Sequence, residues 1–249
     1  MRNLAPVLLA LLFSNCTTDR PAETRVGPLV SPDESTGATL TGRVAFTGSA
    51  PAARIIDMSA NPQCERTHKG RTLTTDDVIV NPNGTLRNVF VWIKTGVPDR
   101  NWAVPAAPVL IDQQSCMYRP HVLGAMTRQN IQISNSDPTN HNIHPIPQIN
   151  PEWNDTQSTG EAPKLYSFSK QEVMIPVKCN VHPWMRAYIG IVSHPFFVVT
   201  GDDGSFTIKG LPPGTYTIQS WHEKYGTQEQ QVTVGARESK TVDFSYKNG

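Results

Sequence analysis

Short stretches in which apolar and polar residues alternate recur along most of the chain. The alternation is clearest in TLTGRVAF, residues 39–46, and in NIQIS, residues 130–134, and it is typical of strands with one buried face. Runs rich in branched and aromatic residues indicate further strands at RNVFVWIKT (87–95), EVMIPV (172–177) and AYIGIV (187–192). Because turn-forming residues separate these stretches and no long helical period occurs, we predict an all-β fold, with short helices at most in 101–107 or 150–163.

The tail from residue 197 onward has its own succession of strands and turns. The segment GDDGSFTIKGLPPGTYTI, residues 201–218, contains two turn sequences, DDG and PPG, between β-type runs. QQVTV and TVDFSY indicate two more strands. A module of about 50 residues is small for an independent hydrophobic core. We therefore predict that residues 197–249 pack against the preceding domain or share a strand with it.

Residues 1–16 have the pattern of an export signal. A short positive start, Met1-Arg2, precedes an apolar run from Leu4 to Phe13, which is too short to cross a bilayer as a stable helix. Cys16 follows this run, and the segment resembles a bacterial lipoprotein cleavage site, with Asn15 in place of the usual small residue. We predict a periplasmic protein anchored to a membrane through lipid on Cys16. The alternative is an ordinary secretory signal with a leftover cysteine.

The net charge of the chain and the composition of residues 17–37 indicate which partners to expect. Lys and Arg total 22 and Asp and Glu total 21, for a net charge of +1, which gives no indication of a nucleic-acid partner or an anionic surface. Residues 17–37 lack aromatic residues and any apolar period, which predicts a flexible tether. We therefore expect membrane contact only through the N-terminal lipid. The first folded domain is predicted to span residues 38–196.

One short segment holds three side chains that bind metals. In KCNVHPWMRAYIG, residues 178–190, Cys179, His182 and Met185 fall at positions i, i+3 and i+6. Zinc sites rarely include methionine, and an iron–sulfur cluster needs several cysteines. Two histidines, one cysteine and a weak axial methionine are the ligands of blue-copper electron-transfer sites. The segment therefore supplies three of these ligands and predicts a second histidine elsewhere in the chain.

The segment DPTNHNIHPIPQ, residues 137–148, offers that second histidine. It contains His141 and His144, whereas the remaining histidines lie near other cysteines or in later segments. Residues three apart in a strand point to opposite faces. Only one of the two is therefore expected to reach the metal.

CNVHPWM resembles the ligand loop of the cupredoxins, in particular the short loop of amicyanin, and NHNIH resembles their upstream histidine segment. The resemblance implies four copper ligands, which are His141, Cys179, His182 and Met185. It also implies that Asn142 ties the two ligand segments together by hydrogen bonds. The expected domain is a cupredoxin Greek-key β-sandwich with one type 1 copper per chain. The tail resembles carboxypeptidase regulatory-like, transthyretin-like modules, which implies a second, small β-sandwich.

The same resemblance implies a carrier of single electrons. Such a site cycles between Cu(II) and Cu(I), and we expect a redox protein as partner, for example a c-type cytochrome or a dehydrogenase. The ring edge of His182 is expected to reach the surface and pass the electrons, and the fixed φ of Pro183 to stiffen the loop beside it. Copper enzymes with a second copper centre need His-x-His pairs, and the sequence has none, so we expect no enzymatic activity.

Two other functions compete with the electron carrier. A copper-delivery or copper-storage protein needs exposed, exchangeable ligands, and the six methionines of the chain are not clustered. An adhesion or glycan-binding module would use the two sandwiches as a scaffold, but a scaffold has no need of a thiolate placed among other metal ligands. The sequence therefore favours the electron carrier, with copper delivery as the alternative.

The four cysteines of the chain divide into two single residues and one pair. Cys16 is assigned to lipid and Cys179 to copper. Cys64 and Cys116 then remain as an even pair in an oxidising compartment, where disulfides persist, so we predict that they are joined. The alternative is a second metal site that adds the nearby histidines, His68 in CERTH and His121 in CMYRPH.

Overall fold

The structure of the chain is a computed structural model that describes residues 27–68 and 70–248. In this part the chain forms strands and one short helix, α1 (Pro62–Thr67), so the fold is all-β, as predicted. No helix among these residues has the length and apolar character that a bilayer crossing requires. The strands are β1 (Ala38–Thr47), β2 (Phe90–Thr95), β3 (Val109–Gln114), β4 (Met117–Arg119), β5 (Val122–Met126), β6 (Ile131–Asn135), β7 (His141–Pro145), β8 (Asp155–Gln157), β9 (Lys164–Tyr166), β10 (Glu172–Lys178), β11 (Arg186–Val192), β12 (Phe197–Val199), β13 (Ser205–Leu211), β14 (Gly214–His222), β15 (Gly226–Val234), β16 (Ser239–Thr241) and β17 (Phe244–Lys247).

Part of the predicted N-terminal organisation lies outside the described residues. This part comprises the export signal with Cys16 and the first residues of the tether, 17–26. The rest of the predicted tether is held against the folded chain. The N–H of Val30 donates to the carbonyl of Asn101 at 2.9 Å, and the carbonyl of Val30 accepts the N–H of Ala103 at 2.9 Å. The folded structure therefore begins before the predicted boundary at residue 38.

The one helix of the described residues lies where the sequence pattern did not indicate it. Segments 101–107 and 150–163 contain no helix, so that expectation is wrong. The helix α1 instead lies in the long connection between β1 and β2. It begins with Pro62, at the position where the missing N–H of proline costs no hydrogen bond within the helix. Cys64 is its buried residue.

Two sheets enclose the core beneath the predicted ligand segments. One has the strand order β5-β11-β10-β7-β8 and the other the order β4-β3-β6-β9. Apolar side chains from both sheets meet in one buried cluster, for example Ile133 of β6, Val177 of β10 and Ile189 of β11. Burial of each such side chain contributes roughly 1.5–3 kcal/mol. We call this pair of sheets the first sandwich; it carries both ligand segments, because His141 begins β7 and Cys179 follows β10.

The other two sheets combine strands of the tail with strands from the N-terminal half, and we call them the second sandwich. Their orders are β13-β1-β16, with β17 alongside β1, and β12-β2-β14-β15. Leu40 of β1 pairs with Ile208 of β13. Ile93 of β2 pairs with Ile218 of β14. All four side chains are buried in a common cluster, so the two sheets pack as one unit.

The tail was expected to pack against the preceding segment or to share a strand with it. Strands β1 and β2, which lie within residues 38–196, belong to the sheets of the tail. The tail thus shares two strands with the segment before it. Without β1 and β2, the strands β13 and β14 would each expose an unpaired edge, and the tail would have too small a core.

Aromatic residues of β2 join the two sandwiches. Phe90 and Trp92 lie in a buried cluster with Val122 of β5 and Val192 of β11. A Cβ atom added at Gly190 would lie 2.6 Å from the Phe90 ring, so glycine is required for this close approach of the backbone. The second sandwich is thus packed against the sheet that holds the ligand loop.

Candidate metal centre

A tight loop between β10 and β11 carries three of the predicted ligands. Cys179 directly follows β10, and Met185 directly precedes β11. The N–H of Cys179 donates to the carbonyl of Met185 at 3.2 Å, and the N–H of Met185 donates to the carbonyl of His182 at 2.9 Å. These hydrogen bonds close the loop on itself, so the three side chains are held at the end of one antiparallel strand pair.

Strand β7 brings the upstream histidine to this loop, because it pairs with β10. His141, at the start of β7, is fully buried, and a nitrogen of its ring lies within 4.8 Å of the Cys179 sulfur. His144 points elsewhere, with its ring nitrogens 3.2 Å from Oδ1 of Asn180 and 2.5 Å from Oε1 of Glu152. Of the two histidines that the sequence offered, His141 is therefore the one beside the Cys179 sulfur.

Three donor atoms converge on one buried point. Nδ1 of His141 lies 3.0 Å from Nδ1 of His182, and Nδ1 of His182 lies 3.7 Å from Sγ of Cys179. His141 is 0% exposed, and the other two residues are each 3% exposed. Met185 is also fully buried and belongs to the same apolar cluster as Cys179. All four predicted ligand residues thus lie in one region of the first sandwich.

The donor set and its spacing suit a bound transition metal. A tetrahedral ion with bonds of about 2.0 Å to nitrogen and about 2.3 Å to sulfur holds such atoms roughly 3.3–3.5 Å apart. The separations of 3.0 Å and 3.7 Å between the donor atoms are close to this range. Imidazole and thiolate suit copper and zinc, and a buried thioether beside them suits copper.

The surroundings of Cys179 favour its thiolate form. Burial raises the pKa of this thiol. Hydrogen bonds from the rings of His141 and His182 and from nearby backbone N–H groups outweigh the burial and lower the pKa to about 5. Since the thiolate is the form that binds metals, Cys179 is already in its ligating form at neutral pH.

Asp137 contacts the candidate ligand His141 and was not singled out by the sequence. Its Oδ2 atom lies 2.8 Å from Nε2 of His141, and the carboxylate also accepts the N–H groups of Ser115 at 2.6 Å and Cys116 at 2.7 Å. Burial lowers the pKa of His141, but hydrogen bonds to Asp137 and Cys179 outweigh it and raise that pKa. A carboxylate on the far nitrogen of a ligating histidine fixes the tautomer and the ring orientation. The signal in the sequence is an acidic residue four positions before the histidine, in DPTNH.

Asn142 joins the two ligand segments. Its Oδ1 atom accepts the backbone N–H of Asn180 at 2.9 Å, next to Cys179 in the ligand loop. Its Nδ2 atom donates to the carbonyl of Asp155 at 3.0 Å and to the side chain of Asn154. The side chain of Asn142 therefore makes a hydrogen bond between the two ligand segments, as the cupredoxin resemblance implied.

The exposed edge expected for His182 is not present. The ring is 3% exposed, and its Nε2 atom lies 3.5 Å from Sγ of Cys64 on α1. The neighbouring ring of Trp184, centred 5.2 Å away, donates its Nε1–H to the carbonyl of Cys116 at 3.0 Å. The long connection between β1 and β2 thus covers the ring edge that a minimal copper domain would expose.

Cys64 and Cys116 are joined by a disulfide, with an S–S distance of 2.08 Å. The two histidines considered as partners of these cysteines make other contacts. Nε2 of His68 lies 2.9 Å from the carbonyl of Ser115, and His121 lies between Asp76 and Glu223. The alternative metal site built from these histidines and cysteines is therefore not assembled. Among the described residues Cys179 is the free cysteine.

Comparison with known proteins finds matches to the tail. Residues 187–247 match the family model of the carboxypeptidase regulatory-like domain, which confirms the resemblance predicted for this module. A probable rhamnogalacturonate lyase A of Aspergillus clavatus is 38% identical over 56 residues, which is 22% of this chain and 11% of that protein. The corresponding protein of Aspergillus terreus is 40% identical over 50 residues, which is 20% of this chain and 9% of that protein. The chain spans about a tenth of the length of these relatives.

Solved structures of cupredoxins are similar in fold to part of the chain. A purple cupredoxin from Nitrosopumilus maritimus matches with a TM-score of 0.29 and 19% identity, over 33% of this chain and 98% of that chain. An amicyanin variant in its Cu(I) form matches with a TM-score of 0.31 and 17% identity, over 41% of this chain and 97% of that chain. A Cu-containing nitrite reductase from Thermus scotoductus SA-01 matches with a TM-score of 0.33 and 19% identity, over 41% of this chain and 25% of that chain. Each of these matches covers less than half of the chain.

Proposed function

We propose that the chain is an exported type 1 copper protein that carries single electrons between redox partners. The observation that carries the proposal is the convergence of Nδ1 of His141, Sγ of Cys179 and Nδ1 of His182 inside the first sandwich. Met185, fully buried in the same loop, is proposed as the weak axial ligand. Two imidazoles, a thiolate and a weak thioether are the donor set of a blue-copper site, so we propose one copper per chain.

The chain's own residues keep the ligands in one arrangement. When bound, copper supplies one-electron chemistry by alternating between Cu(II) and Cu(I). Asp137 orients His141, and the hydrogen bond of Asn142 fixes the loop relative to β7. Pro183 restricts the backbone next to the second histidine. The apolar core around Cys179 excludes water. A site whose ligands are held by surrounding contacts rearranges little during electron transfer.

The burial of the ligands favours a carrier over the alternative, a copper-delivery protein. Delivery requires ligands that a receiving protein reaches and displaces. His141, Cys179 and His182 are at most 3% exposed, and Met185 is 0% exposed. Such ligands release a metal slowly, whereas electrons pass through a protein matrix without contact between the metal and the partner.

The proposed role sets the partners and the location. A carrier converts no substrate, so we propose no enzymatic activity. Its partners would be redox proteins, such as a c-type cytochrome or a dehydrogenase. We further propose that the protein works in the periplasm and is held at a membrane by lipid on Cys16.

The visible spectrum of the protein with added Cu(II) tests the proposal. We expect an intense visible band, because a thiolate bound to Cu(II) gives a charge-transfer transition. Cys179→Ser should abolish this band, and Cys16→Ala is the matched control that should keep it. A colourless wild type, or a Cys179→Ser variant with an unchanged spectrum, would overturn the assignment.

A further inference from the structure

The Cys64–Cys116 disulfide lies directly behind the candidate copper centre. Sγ of Cys64 is 3.5 Å from Nε2 of His182, the ring nitrogen opposite the one that faces Cys179. The Cys116 sulfur, a carboxylate oxygen of Asp137 and a ring nitrogen of His141 form a second group of ligand atoms, all within 4.8 Å of one another. In the disulfide form the two sulfurs bind each other, so neither is a strong metal ligand.

We propose that reduction of this disulfide creates a second metal site, in which the thiolates of Cys64 and Cys116 bind Cu(I) beside Nε2 of His182. Thiolates are soft ligands, which suit Cu(I). The Cys64 sulfur lies 3.5 Å from Nε2 of His182. A sulfur and a nitrogen ligand on one tetrahedral ion are also about 3.5 Å apart. Its two thiolates are not ligands of the proposed electron-transfer centre, whereas His182 would contribute to both sites through different ring nitrogens.

The two cysteines are held close together by contacts that do not involve the S–S bond. The N–H of Cys116 donates to Asp137 at 2.7 Å, and its carbonyl accepts the indole N–H of Trp184 at 3.0 Å. On the other side, Nε2 of His68 lies 2.9 Å from the carbonyl oxygen of Ser115. His68 directly follows the last residue of α1. These contacts tie α1 to the turn at Cys116. The two thiols are therefore expected to stay adjacent after the bond between them breaks.

A cavity adjoins the proposed site. It has a volume of about 370 Å³ and is lined by residues of α1, by the residues just before it and by His182. Cys64 lines it as well, and the lining residues Pro62 and Gln63 are exposed. Cys64 and Cys116 are both 0% exposed, so the cavity lies next to the disulfide without exposing it.

Reduction of the Cys64–Cys116 disulfide needs one external reagent, a reductant. Breaking the S–S bond takes two electrons and two protons, which a dithiol supplies as it becomes a disulfide itself. Binding of Cu(I) then releases the protons of both thiols to solvent, as is usual for thiolate metal sites. Where Nδ1 of His182 already holds copper, the proton on Nε2 is released as well. The oxidised protein has one metal site and the reduced protein has two.

The test is Cu(I) stoichiometry measured against a chromogenic Cu(I) chelator. The full chain with Cys16→Ala is used, so that Cys16 contributes no thiol, and it is compared before and after reduction with a phosphine that is then removed without oxygen. We expect one Cu(I) per oxidised chain and two per reduced chain. Cys64→Ser with Cys116→Ser should bind one in both states. Cys179→Ser should bind one only when reduced, which separates this site from the candidate electron-transfer centre.

A reduced chain that binds no more Cu(I) than the oxidised chain would overturn the proposal. A second measurement needs no variant at the site. Maleimide labelling of the reduced chain, followed by mass analysis of the peptides, should show that Cu(I) protects both Cys64 and Cys116. Equal labelling of these two cysteines with and without Cu(I) would overturn the proposal as well.

Discussion

Oδ2 of Asp137 lies 2.8 Å from Nε2 of His141, on the opposite side of the ring from the candidate metal centre. Asp137 is 5% exposed and its carboxylate also receives the N–H groups of Ser115 and Cys116. Three hydrogen bonds therefore hold a negative charge in place behind one ligand. Such a charge orients the histidine and makes its free nitrogen a better donor.

Asp137→Asn should raise the reduction potential of the bound copper. The carboxylate stabilises the more highly charged Cu(II) state, and asparagine keeps a similar shape without the charge. A unit charge roughly 6 Å away, at an effective dielectric constant of about 20, is worth about 2–3 kcal/mol, or on the order of 100 mV for one electron. Voltammetry measures the shift, and Asp203→Asn, at an exposed turn of the tail, is the control. A potential that stays the same or falls would contradict the role given to Asp137.

Asn142→Ala should destabilise the copper-free protein by about 1–3 kcal/mol, because it leaves the partners of a buried side chain unpaired. The loop N–H of Asn180 and the carbonyl of Asp155 both lose their hydrogen bonds to this residue. Urea unfolding measures the change. The exposed neighbour Asn140 provides the matched control, and Asn140→Ala should cost less than about 0.5 kcal/mol. If both substitutions lower the free energy of unfolding by the same amount, the hydrogen bonds of Asn142 between the ligand segments do not stabilise the protein.

Cys16→Ala should release the protein from membranes or block its maturation, because the substitution removes the proposed site of lipid attachment. Fractionation of cells that produce the wild type and the variant measures the distribution between membrane and soluble fractions. Cys179→Ser is a useful control, since it should leave the wild-type distribution unchanged. A wild-type protein that is fully soluble and begins after residue 16 would contradict the lipid.

The local part of the candidate site could be predicted from the sequence, because it depends on spacing within short segments. Cys179, His182 and Met185 lie in one loop, and the loop length alone brings their side chains together. The choice between His141 and His144 followed from family resemblance, and strand alternation explains why only His141 faces Cys179.

The parts of the site that depend on long-range packing could not be predicted. The contact between Cys64 and His182 joins residues 118 positions apart, and no periodicity in the sequence encodes it. The tail was expected to pack against the preceding domain or share a strand with it, but the sequence did not show that the shared strands are β1 and β2. Alternation identifies the buried face of a strand, whereas sheet membership depends on the whole fold.

His194 should make the protein less stable as the pH falls from about 6.5 to about 4. Its Nε2 atom lies 2.9 Å from the carbonyl of Ile93, and its Nδ1 accepts the N–H of Phe196 at 3.3 Å. Burial is the main cause that lowers the pKa of this histidine to about 4. In that pH range the unfolded chain takes up a proton that the folded chain excludes, so stability present above pH 6.5 is lost progressively. A shift of this size corresponds to about 3 kcal/mol.

Urea unfolding at several pH values measures this loss. His194→Gln should lower the stability at neutral pH and flatten the decline in acid, whereas Ser193→Ala should keep the wild-type slope. A His194→Gln variant whose stability falls as steeply as that of the wild type would exclude His194 as the cause.

Met185→Leu distinguishes an electron carrier from a copper-delivery protein. In a carrier the axial thioether binds weakly, so His141, Cys179 and His182 should keep the copper without it. Leucine is similar in size to methionine, and the backbone hydrogen bonds of residue 185 remain possible, so the cost in stability should be below about 1.5 kcal/mol. Loss of the thioether has two opposing effects on the reduction potential. It removes a soft ligand that favours Cu(I), which lowers the potential, and it removes electron donation that favours Cu(II), which raises the potential. Because leucine also excludes water, which favours the less charged Cu(I) state, we expect a higher reduction potential.

Voltammetry of the wild type and the variant, followed by a challenge with a Cu(I) chelator, measures both the potential and the retention of copper. Met126, a buried methionine at the end of β5 whose side chain packs into the core of the second sandwich, provides the matched control, and Met126→Leu should leave the potential unchanged. In a carrier, the wild type and Met185→Leu both keep their copper through repeated redox cycles. In a delivery protein, the reduced copper of the wild type passes readily to the chelator, and Met185→Leu mainly weakens the affinity. Irreversible voltammetry of the wild type, with copper lost at each reduction, would therefore favour delivery over electron transfer.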